Sequence, residues 1–291
     1  MKFAPRKSAH LTCRVAALSM FALLTCAGCA TSMSYSTSPQ TLEPGEVSGG
    51  IAGQFSLNTT VVDKGIDTLK IAGYYATDSD DLTEEEYREL LDAVVAYALF
   101  RPSVAGEVAM RVGVFEGADV GIRYNASILK GDAKVRVWQS PDESSVVSVT
   151  AGIGQGGSLG PSNLKYITWQ EFSRLDAELS IMYGYEEADF FRVYAGPRLI
   201  HTWLTVDPVL SPELLERIPE EYQKYRPDQY FRDENILYLG GTIGTMIGYK
   251  WIWLHLEATV MYTLFNPLIL DRKRNLSGFT VAPVAGISVE F

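Results

Sequence analysis

The chain has 291 residues with 35 acidic against 25 basic side chains, a formal charge of −10, and three cysteines. Phosphate recognition needs basic patches, so an acidic chain of this kind is set aside as a nucleic-acid binder. Cys13, Cys26 and Cys29 all precede residue 30, which leaves the body of the chain without a disulfide framework or a cysteine-based metal site.

The first stretch has the grading of an export signal. Lys2, Arg6, Lys7 and Arg14 form a basic region with no acidic residue, and Val15–Leu24 is a short apolar run. That run is shorter than the roughly 20 residues a spanning helix needs but fits the apolar part of a signal peptide. Ala27 and Gly28 then precede Cys29, and this resembles a bacterial lipobox, in which the Cys is lipidated and becomes the new N-terminus. Cys26 stands where that family usually has Leu, and ordinary cleavage after Ala30 is the alternative. The expected organisation is a signal peptide over 1–28, a lipidated Cys29 with a flexible tether over 29–45, and one domain over 46–291. Removing residues 1–28 takes away four basic and no acidic residues and brings the formal charge to −14.

Residues 30–44 are rich in Ser, Thr and Pro and show no apolar periodicity, hence the tether. After Gly45, segments of about ten residues alternate apolar and polar positions, the signal of strands. Ten are predicted: Glu46–Leu57, Val104–Phe115, Ala118–Ala126, Leu129–Trp138, Ser145–Gly154, Ser173–Tyr185, Phe190–Ile200, Leu237–Tyr249, Trp251–Leu264 and Phe279–Phe291. In the sixth, Leu175, Ala177, Leu179, Ile181, Tyr183 and Tyr185 share one face, with Asp176, Glu178 and Ser180 on the other. The ninth sets Ile252, Leu254, Leu256, Ala258, Val260 and Tyr262 opposite His255, Glu257 and Thr259.

Even-numbered connections are short and most odd-numbered ones are long, the asymmetry of membrane barrels with short periplasmic turns and long outer loops. Aromatic residues gather at both ends of the segments, as interfacial girdles do: Phe115, Trp138, Tyr185, Phe190, Phe191, Tyr249, Trp251, Trp253 and Phe291 at one, Phe55, Tyr124, Trp203, Tyr238, Tyr262, Phe265 and Phe279 at the other. The fold class read from this is all-β, an antiparallel up-and-down transmembrane β-barrel of about ten strands with helical insertions in its outer loops. A soluble periplasmic lipocalin-like barrel is the rival. Pro197 and Pro283 fall inside strands and require local bulges. A helix is predicted after Thr83, with Glu86 completing a capping box and Tyr87, Leu90, Leu91, Val94, Val95 and Ala98 at helical spacing, and a second, shorter one opens at Ser211-Pro212.

The closing Ile287-Ser288-Val289-Glu290-Phe291 resembles the C-terminal signature of bacterial outer-membrane barrels, which the assembly machinery reads. Together with the opening Thr41–Glu46, it makes the chain similar to small outer-membrane β-barrel proteins over residues 29–291. The resemblance implies outer-membrane lipid and the barrel-assembly and lipoprotein-sorting machinery as partners, with periplasmic-side lipid anchoring in the outer membrane. The partner of the surface loops stays open.

The inward faces carry Glu107, Arg111, Asp119, Arg123, Asp132, Lys134, Arg136, Asp176, Glu178, Arg192, Arg198, His255 and Glu257. A ten-strand barrel is narrow and fills with side chains, and charges taken from water must be paired, so a salt-bridged lumen is the first reading and a narrow polar channel the second. His255 and Glu257 share a strand face and suggest general-base chemistry, as in small outer-membrane lipid hydrolases, with Ser180 or Ser288 as nucleophile only if the fold brings one to His255. The run Gly152-x-Gly154-x-Gly156-Gly157 lacks the Lys-Ser/Thr pair of a phosphate loop. No catalytic residue, cofactor or metal site is predicted, and a structural or surface-interaction role ranks ahead of solute passage and lipid modification.

Overall fold

The computed structural model describes residues 32–66, 89, 96, 100, 102–125, 128–157, 167–187, 190–210, 233–269 and 272–291. Its strands are β1 (Val47–Asn58), β2 (Ser103–Phe115), β3 (Ala118–Asn125), β4 (Ile128–Gln139), β5 (Ser145–Gly157), β6 (Ile167–Glu187), β7 (Phe191–Leu210), β8 (Asp233–Tyr249), β9 (Ile252–Leu264), the two-residue β10 (Leu268–Ile269) and β11 (Arg272–Lys273), and β12 (Gly278–Glu290). Ten of them close into one barrel in the order β1-β12-β9-β8-β7-β6-β5-β4-β3-β2, and β10 and β11 form a separate hairpin. Every barrel strand pairs antiparallel with its neighbours. Closure runs to the rim, where Val47 and Phe291 exchange both backbone hydrogen bonds at 2.9 Å.

The predicted strand starts and stops agree to within two residues at the end of the barrel that carries the short connections, the turn end. Gly117 at φ +74° and Lys250 at φ +57° make two of those turns; left-handed conformations suit Gly and are tolerated by few other residues. At the opposite loop end, β6, β7 and β8 run several residues further than their alternation suggested. Residues 59–66 add a helix that was not foreseen, α1, whose first turn is capped by Asn58: its Oδ1 accepts from the Thr60 N–H at 2.8 Å. Of the first predicted loop helix, Glu89, Ala96 and Phe100 are helical and the rest lies outside the described residues, as does the helix at Ser211.

The two prolines are accommodated differently from expectation. Pro283 pairs with Ala258 of β9, but the β1–β12 ladder skips from Gln54↔Val284 to Leu57↔Val281. Pro197 pairs with Gly241 of β8, and the β6–β7 ladder skips from Ser180↔Arg198 to Tyr183↔Ala195. Each missing N–H therefore opens a two-residue gap in one ladder, with register kept on both sides and no bulge.

Burial is inverted relative to a water-soluble barrel. Along β9, Ile252, Leu254, Leu256, Val260, Tyr262 and Leu264 are exposed, whereas His255, Glu257, Thr259 and Thr263 are buried. The same holds for Val108, Met110 and Val112 against Glu107 and Arg111 on β2. Most of the girdle aromatics face outward, among them Phe115, Trp138, Phe190, Tyr249, Trp251 and Phe291 at the turn end and Phe55, Tyr124, Trp203, Tyr262 and Phe279 at the loop end. Trp253, Tyr238 and Phe265 depart from that pattern, being buried inside the barrel.

Candidate functional site

The lumen is the place where polar chemistry collects, and alternation along the strands puts it there. Six basic side chains (Arg111, Arg123, Lys130, Lys134, Arg174, Arg198) and six acidic ones (Glu107, Asp119, Asp132, Asp176, Glu178, Glu257) are buried among the described residues. Ten of them, all but Glu107 and Glu257, form a connected belt. Arg111 bridges Asp119 and Asp132, Arg123 bridges Asp132 and Glu178 at 3.1 Å each, and Glu178 also receives Arg198 and Lys130. Lys134 meets Asp119 at 3.2 Å and Arg174 meets Asp176 at 2.7 Å. Ten of the twelve pair with an opposite charge, which keeps ionised groups tolerable away from bulk water; Glu107 instead accepts from the Ser32 hydroxyl, and Glu257 from the Tyr35 and Ser36 N–H groups and the Tyr194 hydroxyl.

Of the residues singled out from sequence, Arg111, Arg123, Asp132, Asp176, Glu178 and Arg198 lie in this belt. Arg136 and Arg192 do not. Arg136 reaches Glu116 at the turn-end rim, 3.9 Å away, and Arg192 joins Glu186 and Glu290 there, both at 2.9 Å, with its guanidinium 3.8 Å from the centre of the Trp253 ring. Lys130 and Arg174 belong to the belt but were passed over, although the parity of their strands points both inward.

The segment read as part of a flexible tether is the larger correction. Residues 32–42 run without regular secondary structure through the lumen, and Ser32, Met33, Ser34, Tyr35, Thr37 and Ser38 are buried there. The wall reads their backbone. Gln54 Oε1 accepts from the Met33 and Ser34 N–H groups at 3.0 Å, and Glu257 accepts from those of Tyr35 and Ser36 at 2.8 and 3.1 Å. Arg123 and Arg198 donate to the Ser34 carbonyl, and Lys134 donates to those of Ser38 and Gln40 at 2.7 Å. The segment carries no charge, so it adds none to the lumen. Gly113 permits its entry: a Cβ there would overlap the Glu43 carbonyl.

Above Met33, toward the loop end, the lumen turns apolar. Phe100, Ile200, Leu204, Ile236, Tyr238, Met261, Phe265 and Leu276 pack with Met33 into one buried cluster, with Val61 of α1 against it. At the turn end a polar cavity of about 90 Å³ remains, bordered by residues 36–38 and 40–42 with Lys134, Arg192, His255 and Ser288. Here the fold does bring a serine to the histidine, His255 Nε2 lying 2.6 Å from Ser288 Oγ. Glu257 does not complete a triad, because it is committed to the lumen segment, Tyr194 and Thr259, and His255 Nδ1 has no hydrogen-bond partner. Ser180 is buried elsewhere on β6. Among the described residues no group of His, Cys, Asp and Glu converges as a metal site.

No family model matches the chain, and no curated protein does. Solved structures similar to it include Ail, the attachment invasion locus protein of Yersinia pestis, at 8% identity over 85% of this chain and 99% of that one, with a TM-score of 0.32. The outer membrane protein OprG from Pseudomonas aeruginosa is similar at 10% identity over 88% and 99%, with a TM-score of 0.34. The outer membrane protease OmpT from Escherichia coli is similar at 9% identity over 87% and 100%, with a TM-score of 0.39. With TM-scores below 0.5, these likenesses add nothing to the strand pairing on which the fold rests. In fold, the chain is a closed, ten-stranded antiparallel β-barrel with an apolar outer face and a polar lumen.

Proposed function

We propose that the protein spans the bacterial outer membrane as a sealed barrel and works through its structure and its outer loops rather than by passing solutes. The observation that carries this is the filled lumen: a paired charged belt at mid-height, an apolar cluster toward the loop end, and the chain's own uncharged segment threaded between them. An apolar outer face and a closed ring of strands suit a lipid surround, where no backbone polar group can be left unpaired. The short connections then face the periplasm and the long ones the exterior. Outer-membrane lipid is the surrounding partner, and acylation of Cys29 and recognition of Phe291 by the assembly machinery complete the reading of a barrel lipoprotein. In planar bilayers the purified full-length mature protein is expected to show no ion conductance, and the variant lacking residues 32–42 to conduct. Steady conductance by the intact protein would overturn the sealed-barrel reading.

A second reading, a lipid hydrolase, has the His255–Ser288 contact behind it. A hydroxyl 2.6 Å from an imidazole can be activated as a nucleophile, although the orienting acid is lacking. Labelling of Ser288 by a fluorophosphonate, lost in Ser288→Ala and His255→Ala, would support that reading. No labelling of the folded protein would remove it.

A further inference from the structure

The lumen segment has a direction, set by the contacts of residues 32–45. At the turn end the Gly45 N–H donates to Gly113 and the Gly113 N–H to Glu46. From there toward lower numbers, Leu42 meets Asp119, the second residue of β3, and Gln40 and Ser38 meet Lys134. Tyr35 and Ser36 meet Glu257 halfway up β9. Ser32 donates to Glu107, the fifth residue of β2 counted from its loop end, and Met33 enters the apolar cluster of that end. The contacts climb without reversal from one rim past the charged belt.

We infer that the chain crosses the membrane once more inside its own barrel, so that the residues preceding Ser32 are delivered to the outer side and not to the periplasm. This rests on the membrane orientation proposed above. Cys29 is three residues before Ser32, a reach of about 11 Å at full extension, against an apolar band about 25 Å tall. The return path to the periplasmic leaflet is occupied by residues 32–45 themselves, in a lumen too narrow for a second strand. An acyl group on Cys29 is therefore excluded from the periplasmic leaflet while the segment is seated. The periplasmic anchoring that the lipobox resemblance suggested and the seated segment are mutually exclusive states of one chain.

The test uses the full-length chain expressed in cells, with a hydrophilic epitope inserted between Thr31 and Ser32. Two control chains carry the same epitope after Asp142, in the β4–β5 turn, or at the tip of the β10–β11 hairpin. Antibody is added to intact and to permeabilised cells. The expected result is equal signal before and after permeabilisation for the 31/32 and hairpin epitopes, with the turn epitope detected after permeabilisation alone. A Ser32→Cys/Glu107→Cys pair in the 31/32-tagged chain should give a disulfide-linked peptide by mass spectrometry, showing that the tag has not expelled the segment. A 31/32 epitope hidden in intact cells whose hairpin epitope is exposed overturns the inference and leaves the orientation standing. A surface-exposed 31/32 epitope without the 32–107 disulfide also overturns it, and a hidden hairpin epitope overturns it together with the orientation on which it rests.

Discussion

Glu178 is the hub of the charged belt, and replacing it with Gln tests whether the belt is dry. Its Oε1 accepts from Arg198, and its Oε2 from Arg123 and Lys130 at 3.1 and 3.3 Å, with the side chain 2% exposed. Glu178→Gln keeps the shape, removes the charge, and turns an amide N–H₂ either toward Arg198 or toward Arg123 and Lys130. Breaking a buried pair by deleting one partner costs about 3–5 kcal/mol, because the other charge stays buried. Arg123 keeps Asp132 and Lys130 keeps Asp176 at 3.6 Å, so the lower half of that range is expected. With a denaturant slope of about 2–3 kcal/mol per molar, the urea midpoint in detergent micelles should fall by about 1–2 M, followed as loss of the compact, fast-migrating band in unboiled gels. Adding Lys130→Met restores neutrality and should return about 1–2 kcal/mol, a coupling typical of contacting residues. A Glu178→Gln midpoint indistinguishable from the parent would refute the reasoning and mean that water screens the belt.

Three further outcomes test other parts of the structure. Gly113→Val should push Glu43 off β2, so a glutamate-specific protease would cut at Glu43 or Glu46 in the folded variant and not in the parent; equal resistance would deny the close approach. In single-Trp variants reconstituted with brominated phospholipid, Trp138 and Trp203 should be quenched and Trp253 spared, since the first two face outward and the third is buried over Arg192. Unquenched Trp138 and Trp203 would contradict a lipid-facing wall. In the β4–β5 turn, hydrogen bonds from Ser140 and Ser144 hold the Asp142 carboxyl below its ordinary value. A lowered pKa means that this contribution is complete above about pH 4, the unfolded value, and is lost as pH falls through the folded one. Ser140→Ala should therefore raise the Asp142 midpoint read by NMR, and an unmoved midpoint would argue against the bond.

Much of this barrel was readable from local order. Strict alternation in segments such as Leu175–Tyr185 and Ile252–Leu264 identifies strands and sorts their faces, because successive side chains point to opposite sides whatever the partner. Turn residues such as Gly117 and Lys250 mark the strand limits at one end. The loop ends of β6, β7 and β8 were not legible, since beyond the barrel wall nothing enforces alternation between two environments. Nor were the inward positions of Trp253, Tyr238 and Phe265, whose aromatic rings at strand ends look the same whether they face lipid or fill a lumen.

The sequence by itself determined the number of barrel strands and, for most residues of the alternating segments, which face they take, both of which follow from a period of two along one chain. Tertiary structure alone decided what fills the lumen. Residues 32–42 carry no periodic pattern, and their partners in the wall lie between 20 and 222 positions away, on β1, β2, β3, β4, β5, β7 and β9. The pairing of His255 with Ser288 has the same origin, because the β9–β12 register sets Gly286 opposite His255 and leaves Ser288 two residues along. Contacts of that kind exist once the ring has closed, and ring closure is a property of all ten strands together.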